Sequence, residues 1–267
     1  APCTFPWRVW DMNDVFAPRW RDVLANQGLA DFDALWGLDI ASVDDPNTGR
    51  GKDGWSEVGL LSFEHPEGEL KRLIIKRQRN YPIRTIRHPI RGIPTLRNEA
   101  MSILRFKRLG IPVAELVYYG EKPDTDGLRA ILVTEYLDGH TSLDTLCRMW
   151  RDQGQWPKGN ERRRLIVSIA NLISVMHAAR MRHNSLYPKH IFVKPGDSGC
   201  SCRLIDLEKV RWSPLGNARR IRDLNSLHRH AKGWSRTDRL RFFKSYYRVD
   251  RLDSKGKRLC RQIIKRV

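Results

Sequence analysis

The chain has 267 residues, 40% of them hydrophobic and nine of them tryptophan, and its formal net charge is +19. This length and apolar content predict a folded protein of one large domain or two lobes, and they exclude a disordered chain. The charge predicts an anionic partner, namely nucleic acid, an anionic membrane surface or a phosphorylated substrate, with a merely solvated basic surface as the alternative.

The cysteine pattern and the apolar segments narrow the class of protein further. The five cysteines are odd in number and show no C-x-x-C spacing, which indicates neither a disulfide framework nor a zinc site. We therefore expect reduced thiols in a cytosolic protein. The first residues lack the apolar core of a signal peptide, although Ala1 in place of Met leads us to expect missing residues before it. The longest apolar stretch, residues 165–179, is interrupted by polar residues and is too short to span a bilayer.

Residues 1–45 are predicted to form a helical extension that packs on the body through its tryptophans. Asp14 is a candidate N-cap for a helix that continues to about Ala25, and the polar run 26–28 would end it. Residues 31–36 are expected to form a further turn or two.

A Gly-rich loop and a β-hairpin are predicted next. Residues 44–54 form a loop by composition, residues 55–63 alternate as a strand does, and residues 70–76 return after a turn. Backbone N–H groups near Gly51 and Gly54 can approach phosphates, although surface loops are often Gly-rich without such a role.

A lysine and a glutamate are predicted to meet behind this hairpin. Lys76 ends the return strand and can point into the cleft that the hairpin covers, whereas an edge lysine in solvent is the alternative. From Thr95 the apolar period becomes helical, and Glu99 lies near the edge of the apolar face, from where it can reach a strand lysine. Residues 113–119 and 128–135 are predicted to be two further strands.

An arginine-rich segment, residues 77–97, is interrupted by three prolines. The prolines exclude a continuous helix, so we expect an extended loop that presents guanidinium groups. Arg84, Arg87 and Arg91 are candidates for contacts with phosphate groups or an anionic membrane surface, and a mobile solvated loop is the alternative.

The second half of the chain is predicted to be mainly helical. Residues 136–140 are typical of a connection between lobes, Thr141 is a candidate cap for a helix towards Trp150, and residues 161–181 form a long amphipathic helix. The three arginines at its start, 162–164, are interpreted as a solvated face.

One stretch carries a pattern of catalytic residues. Residues 183–193 combine a polar loop with an apolar strand, and after a Gly/Ser turn a second apolar strand ends at Asp206. The arrangement resembles the H-R-D-L-x-x-x-N and D-F-G loops of protein kinase-like enzymes. His183, Leu186 and Asp206 match that pattern. Ser185 replaces the catalytic Asp, and His190 replaces the metal-binding Asn.

Longer motifs narrow the resemblance to one family. These motifs occupy residues 50–56, 76–81, 91–95 and 186–193. They resemble the bacterial lipopolysaccharide kinase family, the group of WaaP-type heptose kinases and InaA-like proteins, and most of all its InaA-like branch. The resemblance covers about residues 25–230.

The resemblance implies an α+β fold of the two-lobed protein kinase type. Residues 46–136 would form a small antiparallel-sheet N-lobe and residues 137–267 a short, mainly helical C-lobe, after the helical extension 1–45. It also implies ATP-dependent phosphorylation of an inner-core lipopolysaccharide sugar, heptose or similar, by a cytoplasmic protein at the inner-membrane surface. The composition agrees independently, because each Lys or Arg near an anionic membrane contributes about 1 kcal/mol of attraction.

The resemblance further assigns residues to the binding of ATP. The candidates are Lys76, Glu99, Gly51, Gly54, Glu135 and Leu137. Lys76 would hold the α- and β-phosphates and pair with Glu99. Glu135 and Leu137 would face the adenine mainly through backbone groups.

The catalytic and metal-binding candidates implied by the resemblance follow the loop pattern. Asp206 would bind Mg²⁺, and His190 would fill the second metal position, where imidazole suits Mn²⁺ better than Mg²⁺. Ser185 would orient the acceptor hydroxyl, and Lys189 would neutralise charge on the transferring phosphoryl group. Asp223 would brace the loop from beneath.

Two other functions stay open at this point. Ser185 favours a catalytically silent kinase-like protein that binds nucleotide or lipopolysaccharide. The net charge favours a nucleic-acid-binding protein, but the sequence contains no DNA-binding helix pair, zinc finger or RNA-binding aromatic motif, so we expect no specific nucleic-acid partner. The acceptor sugar and the oligomeric state do not follow from the sequence.

Overall fold

The computed structural model describes residues 14–43, 47–48, 54–64, 68–85, 88–125, 127–196, 199–213 and 217–264. Gly51, Arg87 and the side chain of Arg91 therefore lie outside the described residues. The chain divides into two compact units. The first comprises residues up to 104 together with 115–136, and the second comprises 105–114 together with the residues from 137 onwards.

An antiparallel sheet organises the first unit. Its described elements are, in chain order, β1 Val15–Phe16, α1 Pro18–Asn26, α2 Phe32–Trp36, β2 Ala41–Ser42, β3 Asn47–Thr48, β4 Trp55–Glu64, β5 Leu70–Arg79, β6 Pro82–Thr85, β7 His88–Pro94, α3 Thr95–Arg108, β8 Leu116–Asp124 and β9 Gly127–Glu135. The last four residues of α3, 105–108, belong to the second unit. The strand order is β1-β8-β9-β5-β4-β2, with β3 also paired to β4. The predicted hairpin of β4 and β5 is confirmed, and its ladder runs from Trp55–Arg79 to Glu64–Leu70.

The core of the first unit lies between this sheet and helices α1 and α2. Leu24 of α1 and Leu35 of α2 are fully buried in one cluster with Leu73 and Ile75 of β5 and Val133 of β9. Side chains alternate along a strand, so the residues of β5 next to Leu73 and Ile75 in sequence point to the opposite face of the sheet.

The N-terminal segment differs in part from its prediction as a helical extension. Helix α1 begins at Pro18 rather than near Asp14, because proline suits the first turn of a helix. Asp14 instead accepts a hydrogen bond from the Tyr118 hydroxyl, and the residues that follow it form β1 against β8. Asp31 caps α2 and accepts a hydrogen bond from the Ala34 N–H at 2.9 Å, so the predicted short helix is confirmed.

The arginine-rich segment was predicted as an extended loop, but it forms an antiparallel hairpin of β6 and β7. Pro82 pairs with Pro94 at the open end of the hairpin, where the missing N–H groups cost little. Gly92 adopts a φ of +71°, and a Cβ there would lie 2.9 Å from the Ile83 carbonyl oxygen. Arg84 is exposed on this hairpin.

Helices dominate the second unit. Its described elements are β10 Thr141–Ser142, α4 Leu143–Asp152, α5 Gly159–Ala178, β11 Met181–Arg182, β12 Ile191–Pro195, β13 Cys200–Leu204, β14 Arg211–Trp212, α6 Asn217–His230, α7 Arg236–Tyr247 and α8 Ser254–Ile264. Strands β10, β12 and β13 form one small antiparallel sheet, and β11 pairs with β14. The α+β fold class predicted from the sequence is confirmed.

Helix α5 is the centre of this unit. Its predicted inward residues are all buried, namely Ile166, Ile169, Ala170, Ile173 and Met176. It packs against α7 and β13. Arg162 was interpreted as part of a solvated face, but its guanidinium makes hydrogen bonds of 2.6–3.0 Å with the buried carboxylate of Asp238 on α7. Helix α4 is capped by Ser142, whose hydroxyl accepts from the Thr145 N–H, rather than by the predicted Thr141.

No helix in the described ranges is both long and apolar enough to cross a membrane.

Candidate active site

A strand lysine and a helix glutamate form an ion pair in the first unit. Lys76 lies on the face of β5 that points away from the α1–α2 core, and Glu99 lies just past the first turn of α3. The ammonium donates to both carboxylate oxygens of Glu99, at 2.8 and 3.0 Å. The Glu99 side chain is only 5% exposed. The predicted contact between Lys76 and Glu99 is therefore formed, and it holds the ammonium at a fixed position on the sheet.

A second contact between β5 and α3 fixes the start of the helix. Gln78 lies two residues after Lys76 and therefore on the same face of β5. Its amide nitrogen donates to the Thr95 hydroxyl at 2.7 Å, and its amide oxygen accepts from that hydroxyl at 3.0 Å and from the Leu96 N–H at 3.3 Å. Because Thr95 and Glu99 are four residues apart on a helix, the two contacts lie on one face of α3.

Three further residues predicted to bind ATP have defined surroundings. Gly54 is buried at the start of β4. The Glu135 side chain accepts hydrogen bonds from the Trp20 indole N–H, at 2.9 Å, and from Arg19, while its backbone N–H donates to Glu115 at 3.0 Å. The carbonyl of Leu137 accepts from the His140 N–H at 3.0 Å. The backbone N–H of Glu135 and the carbonyl of Leu137 thus already have partners within the chain.

The second unit holds the predicted catalytic loop on a buried carboxylate. Asp223 of α6 accepts hydrogen bonds from the backbone N–H groups of His183 and Asn184, both at 2.8 Å, and contacts His177 at 3.2 Å. Burial alone would raise the pKa of Asp223, but the hydrogen bond and charge of His177, helped by His183, lower it below its usual value. The predicted bracing of the loop by Asp223 is confirmed.

His190 and Asp206 face each other at the end of this loop. His190 Nδ1 lies 2.8 Å from the Ser185 carbonyl oxygen, and its Nε2 lies 3.1 Å from Asp206 Oδ2. A carbonyl can only accept, so we assign the proton to Nδ1, which leaves a lone pair on Nε2 of the neutral ring. Burial lowers the pKa of His190 to about 4, although Asp206 opposes the shift. At neutral pH an imidazole lone pair and a carboxylate oxygen therefore converge.

The backbone at Asp206 has a left-handed conformation, with φ 57° and ψ 59°. Few residues other than glycine adopt this conformation, and Asp and Asn are among those that do. Asp206 lies two residues after the end of β13, and its carboxylate faces the imidazole of His190 on the short 3₁₀ turn Pro188–His190.

His183 supports the same cluster from within the unit. Its Nε2 donates to the Ile205 carbonyl at 3.0 Å, and its ring stacks on that of His190 with centroids 5.7 Å apart. Its ring is buried, which lowers its pKa, and its Nδ1 has no hydrogen-bond partner among the described residues. The ring thus fixes the plane of His190 without carrying charge at neutral pH.

Ser185 and Lys189 occupy contrasting environments on the loop. Ser185 is 5% exposed, and its carbonyl accepts both from His190 and from the Tyr187 N–H. Lys189 is exposed on the 3₁₀ turn. The structure therefore brings Ser185, His190 and Asp206 into one cluster and places Lys189 at its solvent side.

Sequence reasoning missed two aromatic neighbours of this cluster. The ring of Tyr187 meets that of His190 edge to face at 5.8 Å and that of His230 edge to face at 4.9 Å. Tyr187 could have been identified, since it lies two residues after Ser185. His230 gives no such signal, because it reaches the loop only through the packing of α6.

The described residues form no complete metal site. Throughout the described segments, no group of three or more His, Cys, Asp and Glu side chains is arranged to hold a metal ion. His190 and Asp206 are thus two candidate ligands, and any ion between them would take its remaining ligands from elsewhere.

The family model for the lipopolysaccharide kinase (Kdo/WaaP) family matches residues 33–246, so the chain belongs to this family. Membership supports a kinase, that is, a phosphotransferase of the lipopolysaccharide core.

The chain is similar to a curated protein and to a solved structure. Protein InaA of Escherichia coli (strain K12) is 28% identical over 183 residues, which span 68% of this chain and 79% of that protein. The solved structure of WaaP in complex with acyl carrier protein matches with a TM-score of 0.67 at 22% identity, covering 96% of this chain and 99% of that one. This likeness confirms the protein kinase-like fold predicted from the sequence.

Proposed function

We propose that the protein is an ATP-dependent kinase that phosphorylates a hydroxyl of an inner-core lipopolysaccharide sugar, heptose or similar, at the cytoplasmic face of the inner membrane. The observation that carries the proposal is the convergence of His190 Nε2 and Asp206 Oδ2 at 3.1 Å in a chain of the lipopolysaccharide kinase family. Two acceptors at this distance repel each other unless a cation or a proton lies between them.

The pair fits a divalent cation. Ligands at adjacent corners of an octahedron with bonds of about 2.1 Å are roughly 3 Å apart, which agrees with the observed separation. His190 and Asp206 would hold Mg²⁺ or Mn²⁺, and the ion would supply positive charge that neutralises the phosphates of ATP. Since one ligand is an imidazole, the site would suit Mn²⁺ better than an all-oxygen site does.

The ion pair of the first unit would serve the nucleotide. Lys76 would hold the α- and β-phosphates, and Glu99 would keep the ammonium charged and oriented. Gly54, with Gly51, would present backbone N–H groups to the phosphates. The adenine would meet Glu135 and Leu137 through those backbone groups that the chain leaves available.

The acceptor hydroxyl would be handled without a loop carboxylate. Phosphoryl transfer through a loose transition state depends mainly on positioning and on neutralising charge, so a general base matters less. The Ser185 hydroxyl would orient the acceptor alcohol, Lys189 would neutralise charge on the transferring group, and the Asp206 carboxylate or a nearby water would take the proton late.

A catalytically silent protein that binds nucleotide or lipopolysaccharide is the second candidate. It is favoured by Ser185, whose nearly buried hydroxyl cannot accept a proton at neutral pH as a carboxylate does. The partners in either case would be the lipopolysaccharide core and the anionic inner-membrane surface. Because the similar WaaP structure contains acyl carrier protein, we also propose that association, to be tested by copurification.

One experiment separates the two candidates. Purified protein is incubated with radiolabelled ATP and a panel of truncated core lipopolysaccharides, with Mg²⁺ or Mn²⁺, and the products are identified by mass spectrometry. We expect slow transfer to one core sugar, faster with Mn²⁺. If the protein binds ATP but labels no acceptor with either metal, the kinase proposal is wrong and the silent protein replaces it.

A further inference from the structure

Helix α8 has one apolar face and one basic face. Cys260 and Ile263 are buried, and the helix packs against α6. Six of its described residues are exposed, namely Ser254, Lys255, Lys257, Arg258, Arg261 and Gln262. Four of the six are basic and none is acidic, so the outer face carries four positive charges within three turns.

These four cations have no carboxylate partner among the described residues. Cations elsewhere in the protein do pair: Arg97 bonds to Glu121, and Arg162 bonds to Asp238. On α8, by contrast, like charges lie three or four residues apart, a spacing at which they repel each other on a helix. An external anion would remove that repulsion.

The charge of α8 is part of a wider asymmetry. Residues 217–264 contain fifteen Lys and Arg and four Asp and Glu, so this segment carries +11 of the net charge of +19. Two of its four acids, Asp223 and Asp238, are buried and already bonded within the unit. The positive charge of the outer surface is therefore hardly compensated.

The turn before α8 adds exposed apolar surface but no net charge. Val249 is 41% exposed there, and the two exposed arginines, Arg248 and Arg251, are balanced by the exposed Asp250 and Asp253, so the positive charge of this surface comes from α8 itself. A basic surface with an exposed apolar residue is typical of protein segments that lie on an anionic bilayer. Proteins that bind single-stranded nucleic acid instead place aromatic rings between the basic residues, and α8 exposes no aromatic residue.

We propose that the outer face of α8 and the α7–α8 turn form a docking surface for anionic phospholipid headgroups of a bilayer. The choice of a bilayer rests on the proposed function, because a lipid-linked acceptor brings the enzyme to such a surface. Each basic side chain that reaches an anionic leaflet strengthens binding by roughly fivefold, so four of them together account for more than about a hundredfold.

The test compares two variants of the full chain that lose the same charge from the same unit. The first carries Lys255→Gln, Lys257→Gln, Arg258→Gln and Arg261→Gln. The control carries Arg105→Gln, Arg108→Gln, Arg148→Gln and Arg151→Gln. Sedimentation with phosphatidylcholine vesicles, with and without phosphatidylglycerol, measures the affinity at low salt, and circular dichroism confirms that both variants fold.

We expect the α8 variant to bind anionic vesicles more than about a hundredfold more weakly and the control variant less than about fivefold more weakly, with both effects reduced at high salt. Equal losses would show that only net charge matters and would overturn the proposal. An unchanged affinity of the α8 variant for anionic vesicles would also overturn it, even if that variant lost affinity for random DNA. The same holds if vesicle binding is lost instead in the variant with Arg84→Gln, Arg87→Gln and Arg91→Gln.

Kinase assays separate this surface from the proposed function. On a soluble, lipid-free core oligosaccharide the α8 variant should match the wild type, while on lipopolysaccharide in anionic vesicles it should be slower. If the wild type phosphorylates neither acceptor but the α8 variant still loses vesicle binding, the proposed function fails and the docking surface stands.

Discussion

The Lys76–Glu99 pair and the His190–Asp206 pair have opposite electrostatic character. In the first unit a cation and a carboxylate satisfy each other across a strand and a helix, at 2.8 Å. In the second unit a neutral imidazole and a carboxylate present two lone pairs to each other at 3.1 Å. The charges of the first pair neutralise each other, whereas the second pair leaves a lone pair of His190 and an oxygen of Asp206 facing each other.

The comparison separates the residues that match the protein kinase pattern from those that depart from it. The lysine and glutamate occur where the family pattern expects them. The loop has exchanged a carboxylate for Ser185 and an amide for His190. Under the proposed function, we therefore expect nucleotide binding to resemble that of other kinases, and we expect phosphoryl transfer to the acceptor to be slow and to depend on the choice of metal.

The largest expected effect comes from removing the charge of Asp206. Asp206→Asn keeps a residue that accepts the left-handed backbone, so the loop should keep its shape. The loss of the only carboxylate in the pair should reduce phosphoryl transfer by at least about 10³-fold, because metal binding contributes several kcal/mol to the transition state. Transfer from radiolabelled ATP measures the effect, and an unchanged thermal midpoint is the control. Activity within tenfold of the wild type would contradict the role of Asp206.

The next prediction tests whether Lys76 and Glu99 stabilise the folded chain through their ion pair. Lys76→Met leaves the buried Glu99 carboxylate without its ammonium, which should cost about 3 kcal/mol of folding free energy. Adding Glu99→Gln should restore much of that stability but not the affinity for ATP. Urea unfolding and ATP titration report the two properties separately. If the double variant binds ATP as the wild type does, Lys76 does not hold the phosphates.

A smaller effect concerns the metal preference of the second pair. His190→Asn replaces the imidazole by an oxygen ligand, so the ratio of the affinities for Mn²⁺ and Mg²⁺ should fall by about tenfold. Electron paramagnetic resonance of bound Mn²⁺, with Mg²⁺ as the competitor, measures this ratio without an activity assay. A ratio that does not change would mean that His190 only packs and hydrogen-bonds in the loop.

The smallest effect concerns acid, which should weaken the second unit more than the first. Burial, helped by the charge of Arg239, lowers the pKa of His228 to about 3, and its ring stacks on Phe243. The unfolded chain therefore binds a proton that the folded chain does not, and stability falls as the pH drops below about 6.5 towards 3. Between pH 6.5 and 5.5 the loss from this residue is about 1 kcal/mol.

His228→Phe isolates this contribution, because it keeps an aromatic ring in the stack but cannot titrate. Urea unfolding at pH 8, 6.5 and 5.5 should give a shallower decline for the variant than for the wild type. Parallel slopes would show that His228 does not titrate differently in the folded and unfolded chains. Hydrogen exchange should place the acid-sensitive amides in the second unit, where His183 and His190 also have lowered pKa values.

The sequence predicts contacts well where the pattern is local. The alternation of residues 55–63 and 70–76 defines the β4–β5 hairpin, and a helical period places Glu99 within reach of Lys76. Contacts between distant residues leave no such pattern. Arg162 and Asp238 are 76 positions apart, so the arginine looked like a solvated residue. The prolines of the β6–β7 hairpin suggested a loop because their pairing at the hairpin ends depends on three-dimensional register.

The site shows the same division. The order of motifs indicates which residues belong to the loop and the strand ends. It does not indicate that the two nitrogens of His190 are divided between the Ser185 carbonyl and Asp206, because this follows from the backbone conformation at Asp206 and from the 3₁₀ turn. The role of His230 beside Tyr187 depends likewise on how α6 packs, which no local period encodes.

The amide of Gln78 also determines when α3 can form. The N–H of Leu96, at the first turn of the helix, is satisfied by a side chain of the central strand, and the contact between Gln78 and Thr95 closes a loop of 17 residues. Nucleating a helix is unfavourable, and a cap that comes from a strand offsets this cost only after the strand is in place. Helix α3 should therefore form late in folding, together with the sheet. The pairing of the strands then determines where Glu99 lies.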